Sequence, residues 1–194
     1  MRIKYISPFM LIVLLSGCSI ITGSESVDDT GHVNGPQGTE GQFCVGAVMD
    51  VPRGLKAVED SELLEDALGS SGNGKLCEGR VYEAVEEVTV YRVWNSEKSY
   101  TQYGRWWSFE QPVGPKSKYR KANGICPSWS ELDVMSRCSI KVGAKVVVGP
   151  GQSAQCKDFT YSKSATNQVY INNDSRNNTL WVEDCSPGRV WPKP

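Results

Sequence analysis

Apolar positions follow three kinds of pattern along this chain. An unbroken apolar run occupies residues 9–15, just after the basic residues Arg2 and Lys4. It is too short to span a bilayer and has the length of a signal-peptide core. Apolar residues then become sparse after Ile21, while Gly23, Gly31, Gly35, Gly38 and Gly41 recur beside Asp28, Asp29 and Pro36. Such a stretch buries too little surface to offset its ordering entropy, so residues 18–42 are expected to form a flexible tether. Periodic patterns begin near Phe43. Leu63, Leu64, Ala67 and Leu68, following Glu59-Asp60-Ser61-Glu62, predict a short helix that stops near Gly69, with a loop over 70–74. Residues 87–94 alternate and are rich in β-branched and aromatic side chains, which predicts a strand. Val88, Val90, Arg92 and Trp94 share one of its faces. Ser128 and Glu131 have capping-box spacing and predict a helix running to about Ser136. Residues 139–142 and 145–148 read as strands meeting at Gly143, and 168–171 and 180–182 as late strands. The sum is one strand-dominated α+β domain over residues 43–194, mainly antiparallel, with no internal repeat.

The end of the first apolar run carries chemistry. Leu15-Ser16-Gly17-Cys18 resembles the lipobox of bacterial lipoproteins. That resemblance implies that residues 1–17 are a signal peptide and that Cys18 is lipidated, by palmitate or a similar acyl chain, to become the first residue. Ser19 rather than an aspartate follows it, which implies an outer-membrane location facing the periplasm or the surface. The alternative is an ordinary secretory signal that happens to contain a cysteine.

Six further cysteines support export: Cys44, Cys77, Cys126, Cys138, Cys156 and Cys185. An even count in an exported chain points to three disulfides. Fifteen pairings are open to six cysteines, and sequence nearness favours Cys44–Cys77 and Cys126–Cys138. None has Cys-x-x-Cys spacing, which argues against a zinc knuckle or a thioredoxin-type redox site. The only histidine, His32, lies in the tether. A Ser-His-Asp or Cys-His site and a three-histidine zinc site are thereby excluded, and no metal is expected. Lys and Arg total 21 against 22 Asp and Glu, a net charge of −1, so the chain lacks the footprint of a nucleic-acid binder. Two acidic clusters, Glu83/Glu86/Glu87 and Asp60/Glu62/Glu65/Asp66, read as solvated faces rather than a glycosidase carboxylate pair.

Three later segments form a pattern when taken in order. Val90-Tyr91-Arg92-Val93-Trp94 is followed by Gly104-Arg105-Trp106-Trp107-Ser108 with Pro112 close behind. Ile140-Lys141-Val142-Gly143 then leads to Asn167-Gln168-Val169-Tyr170-Ile171. This order resembles ADP-ribosyltransferase-like bacterial toxin domains, especially the NAD-hydrolysing branch that is similar to the tuberculosis necrotizing toxin. The resemblance covers roughly residues 88–171. It implies NAD as substrate, with no separate cofactor, and it implies roles for particular residues. Arg92 would pair with the pyrophosphate as a bidentate donor. Trp106 or Trp107 would stack on the nicotinamide. Ser108 would support the nicotinamide pocket, and Gln168 would orient the ribose or the attacking water. No Glu-x-Glu or Gln-x-Glu pair stands in the third motif, which argues against transfer to a protein acceptor.

Each residue also has a plainer reading. Arg92 and Gln168 can be ordinary strand residues, and tryptophans are more often core anchors than ring-stacking walls. A different class of function follows from that reading: a non-catalytic lipoprotein using some of its six tryptophans to bind a protein or a glycan. Whether Arg92, Ser108 and Gln168 converge on one cavity separates the two.

Overall fold

A computed structural model describes residues 43–192. The expected signal peptide, the lipidation at Cys18, the tether and His32 lie outside the described residues. The elements in chain order are β1 (Leu55–Ala57), α1 (Ser61–Ala67), β2 (Arg80–Ala84), β3 (Val88–Trp94), a 3₁₀ turn (Ser99–Tyr103), β4 (Trp106–Trp107), α2 (Lys116–Asn123), a second 3₁₀ turn (Pro127–Trp129), β5 (Val134–Ile140), β6 (Lys145–Gly151), β7 (Ala154–Gln155), β8 (Thr160–Tyr161), β9 (Ser164–Ile171), β10 (Val182–Glu183) and β11 (Arg189–Val190).

One sheet has the order β1-β2-β6-β9-β4. In the other, β5 pairs with β3 along its whole length and with the short β10 and β11 on its opposite edge. β7 and β8 form a two-stranded ribbon. The strand pairings are antiparallel throughout, so the α+β, mainly antiparallel architecture expected from the sequence is the one observed. Tyr91 and Ser108 exchange two backbone hydrogen bonds, 2.8 and 2.9 Å, and link the two sheets at the β3–β4 junction.

Period-2 alternation explains where the core lies. Ala84, Val146, Val148, Val169 and Ile171 point inward from the first sheet. Val88, Val90, Cys138 and Ile140 point inward from the second, and all of these pack into one cluster. Each valine or isoleucine among them contributes roughly 1.5–3 kcal/mol by leaving water. Val81, Val147 and Tyr170 face the other way and are covered by Ala67 of α1 and by Leu76. The helix itself starts where Asp60 accepts a hydrogen bond from the Leu63 amide at 3.1 Å, an N-cap consistent with the sequence pattern.

Two sequence expectations are overturned. The capping-box spacing at Ser128–Glu131 does not start a helix: Pro127–Trp129 is a single 3₁₀ turn, and Val134–Ile140 is the strand β5. Leu132 turns the chain at φ +53°, and β5 then gains a seven-residue register with β3, from Val88↔Ile140 to Trp94↔Val134. Long-range pairing and burial outweigh a local capping signal. The second correction concerns the cysteines. Cys44–Cys77 is bonded as sequence nearness suggested, but the other bridges are Cys126–Cys156 and Cys138–Cys185. Cys138 faces the main core from the middle of β5, whereas Cys126 lies with Ala154 and Cys156 in a separate small cluster, so the nearest pair in sequence is divided between two packing units.

Candidate functional site

Arg92 sits where the two sheets meet. Its Nε donates to the Thr101 carbonyl at 2.8 Å and its Nη1 to the Trp106 carbonyl at 2.6 Å. The guanidinium lies 6.0 Å from the centre of the Trp107 ring. Gly104 makes room for it: a Cβ there would stand 2.2 Å from Nη2. Among the described residues the ion pairs are Arg53–Glu86 and Lys145–Asp60, so no carboxylate neutralises Arg92. Burial lowers its pKa to about 10, partly offset by Tyr119, which leaves it charged at neutral pH. The same burial pushes the Tyr119 phenol up to about 12, with Arg92 acting in the opposite sense.

A cavity of about 250 Å³ opens beside this arginine. Trp106 and Gln168 also line it. Trp106 comes from β4, opposite Tyr170 of β9, and the two rings pack with centroids 5.0 Å apart. Gln168 lies two residues before Tyr170 and so presents its side chain on the same face. Only 6% of Gln168 is exposed, and among the described residues its carboxamide makes no hydrogen bond to protein. Gln152, buried to the same degree, does otherwise: it donates to Gly69 and accepts from Ser153. No fully buried polar side-chain atom among the described residues lacks a partner, so the Gln168 carboxamide reaches the open space of the cavity, where it has hydrogen-bonding capacity to offer a ligand. It is held close to the backbone, since a Cβ on Gly151 would stand 2.9 Å from its Nε2.

Ser108 and Trp107 are placed elsewhere. Trp107 is 3% exposed, packs in the main core and donates from its indole to Gly104 at 2.7 Å, so it supports Arg92 from below and does not line the cavity. Ser108 donates its hydroxyl to the Glu110 carbonyl at 2.8 Å and lines a neighbouring cavity instead. Of the expected residues, then, Arg92, Trp106 and Gln168 converge, while Trp107 and Ser108 do not, so the convergence of Arg92, Ser108 and Gln168 that separates the two classes of function is met by two of its three residues.

The cavity also has residues that sequence reasoning did not single out. Lys75 adds a second cation, and Asn123 closes α2 at its C-terminal end, just before Gly124 takes the left-handed conformation at φ +59°. Trp129 stands at the rim, half exposed, with its ring 3.5 Å from where a Gly74 Cβ would be. The signals available in the sequence were the Asn123-Gly124 helix stop and the glycine-rich turn Gly72-Asn73-Gly74 just before Lys75. No aspartate, glutamate or histidine lines the cavity, so it has cationic, aromatic and amide character without a carboxyl or imidazole group for proton transfer. No cluster of described residues has metal-ligand character, and no described helix is long and apolar enough to cross a membrane. Compared with protein-family models, curated proteins and solved structures, the chain shows no match.

Proposed function

We propose that this protein is a lipid-anchored domain of ADP-ribosyltransferase-like architecture that binds NAD and cleaves its nicotinamide–ribose bond. The observation that carries the reading is the meeting of Arg92, Trp106 and Gln168 at one cavity, from three separate segments and in the order the motifs imply. A guanidinium held by two carbonyls keeps donors for a phosphate, and charge-assisted bonds of this kind are among the strongest available. Trp106 provides a flat wall for the nicotinamide ring. Gln168 has a free carboxamide to orient the ribose or a water. At about 250 Å³ the cavity falls below the roughly 300–1,000 Å³ of pockets for drug-sized ligands, so it takes one end of a dinucleotide. Cleavage adds water to the ribose carbon as nicotinamide departs, giving ADP-ribose and a proton. Without a lining carboxyl or imidazole group, the rate gain rests on positioning and electrostatics.

Calorimetry of the oxidised protein with millimolar NAD tests the binding step. Gln168→Ala is expected to bind NAD within about twofold of the native protein and to turn it over about tenfold or more slowly, because its role is exerted in the transition state. Absence of both heat and protection from unfolding would sink NAD recognition. The exposed Trp129 beside Asn73 and Asn123 then favours the other reading, a non-catalytic lipoprotein that stacks a glycan on that rim.

The anchor has its own test. Cys18→Ser is expected to abolish fatty-acid labelling and leave an unprocessed precursor. Normal maturation and membrane fractionation of that variant would count against the anchor.

A further inference from the structure

A separate cavity, of about 300 Å³, is built from segments that the reading above does not use. The first 3₁₀ turn supplies Tyr100 and Tyr103, which share a face because side chains three apart eclipse in that helix. Arg105 follows just before β4. The turn after β9 supplies Ser175 and Arg176. Gly104, Asn173 and Asp174 complete the wall.

The acceptors in this wall are already used. The Gly104 carbonyl accepts from the Trp107 indole at 2.7 Å and from the Asn173 amide at 3.2 Å. The Asn173 side-chain oxygen accepts from the Trp181 amide at 2.8 Å. Asp174 is the one acid of the wall, and its carboxylate is spent on its own turn. It accepts from the backbone amides of Asn177 and Arg176 and from the Asn177 side chain, bonds that hold its pKa below the usual carboxylate range.

The donors are not used. Among the described residues, the Tyr100, Tyr103 and Ser175 hydroxyls and the Arg176 guanidinium make no hydrogen bond to protein, and Arg176 only stands 6.0 Å from the centre of the Tyr100 ring. Arg105 donates from Nε to the Asn173 carbonyl at 3.3 Å and lies beside the Tyr170 phenol, whose pKa burial raises and Arg105 opposes. Neither arginine belongs to an ion pair among the described residues. Two guanidinium groups and three hydroxyls thus face a space that offers them no open acceptor. The ligand that fits is anionic and rich in acceptors. A carboxylate has two oxygens in one plane, which a single arginine fork satisfies. A phosphate monoester has three terminal oxygens, enough for two forks from separate segments and for the hydroxyls. We infer that this cavity binds the phosphate group of a phosphate monoester, carried by a soluble molecule or by a lipid headgroup.

Calorimetry of the full, oxidised chain with glycerol phosphate, dihexanoyl phosphatidic acid and plain glycerol tests the inference. At least one of the two esters should bind, and glycerol should not. Binding of glycerol phosphate alone assigns a soluble ester, and binding of phosphatidic acid alone assigns a lipid headgroup. Arg176→Gln removes one charged donor from an exposed position and keeps the backbone bonds of its turn. It should weaken the ester about tenfold or more, with thermal unfolding unchanged. Arg105→Gln should weaken it to a similar extent. Arg92→Lys should leave the ester within about twofold, because Arg92 lines the other cavity. Absence of binding by both esters overturns the inference. So does unchanged affinity in Arg176→Gln, or a loss in Arg92→Lys as large as that in Arg176→Gln.

Discussion

Gly149→Ala should destabilise the fold by about 3 kcal/mol or more. A Cβ at this position would stand 1.9 Å from the Glu78 carbonyl oxygen, 2.9 Å from its carbon and 3.0 Å from the Gly79 Cα. These are backbone atoms, so no rotamer change relieves the contact. Gly149 belongs to β6, the middle strand of the five-stranded sheet, opposite Gln168. The segment it presses against is fixed as well: the Cys77 amide donates to Pro150 at 2.9 Å, Cys77 is bonded to Cys44, and Leu76 is fully buried. Either the sheet or that segment must move. Overpacking of this kind costs about 3 kcal/mol or more, against the 5–15 kcal/mol by which domains are typically stable. Urea denaturation of the oxidised protein measures it. Gly143→Ala is the matched control, because nothing lies within 4 Å of a Cβ there and only its φ of +84° is unfavourable. It should cost about 1–2 kcal/mol. Equal effects at the two positions would show that close backbone approach is not what requires glycine at 149.

Gly104→Ala should weaken the proposed dinucleotide binding by about one to two orders of magnitude while the fold survives. The added methyl would stand 2.2 Å from Nη2 and 2.5 Å from Cζ of Arg92. The guanidinium cannot withdraw without releasing Thr101 or Trp106, and a hydrogen bond to a charged group is worth about 1.5–3 kcal/mol. Affinity for NAD is therefore expected to fall by about one to two orders of magnitude, with a smaller loss of stability. Arg92→Lys should behave similarly, since an ammonium keeps the charge but lacks the planar fork that reaches two carbonyls. Calorimetry paired with thermal unfolding checks both variants. Unchanged affinity in Gly104→Ala, with a folded protein, would remove Arg92 from the binding site.

The strand bearing Arg92 was legible in the sequence because Val88 and Val90 alternate into the core, although burial departs from alternation at its end, where Val93 and Trp94 are both buried. The same logic reached β9 and the helix capped by Asp60. Helix α2 was not legible. Its sequence, Lys116 to Asn123, is almost entirely polar, and the residue it buries is Arg120, which donates to the carbonyls of Cys126, Ser130 and Glu131. A helix held by an arginine against loop carbonyls leaves no apolar stripe to read. β5 was masked for the opposite reason: its true partner lies some forty residues upstream, while a local capping signal lay close at hand. At the cavity, the motif order reached Arg92, Trp106 and Gln168 but also named Ser108, which lines the neighbouring one. It could not choose between the adjacent tryptophans, because successive strand residues face opposite ways and a two-residue strand has no periodicity to reveal which faces in. Asn123, Lys75 and Trp129 arrive from a helix end and two loops, where pattern carries least.

The bridge between Cys44 and Cys77 also fixes how the domain responds to mechanical load. Tension applied to the chain ahead of Phe43 passes through that covalent bond to Cys77 and, by its amide, to Pro150 on the central strand β6. The intervening length, including edge strand β1 and helix α1, is bypassed and stays slack. A pull from that end therefore reaches the central strand without first unzipping β1 from β2.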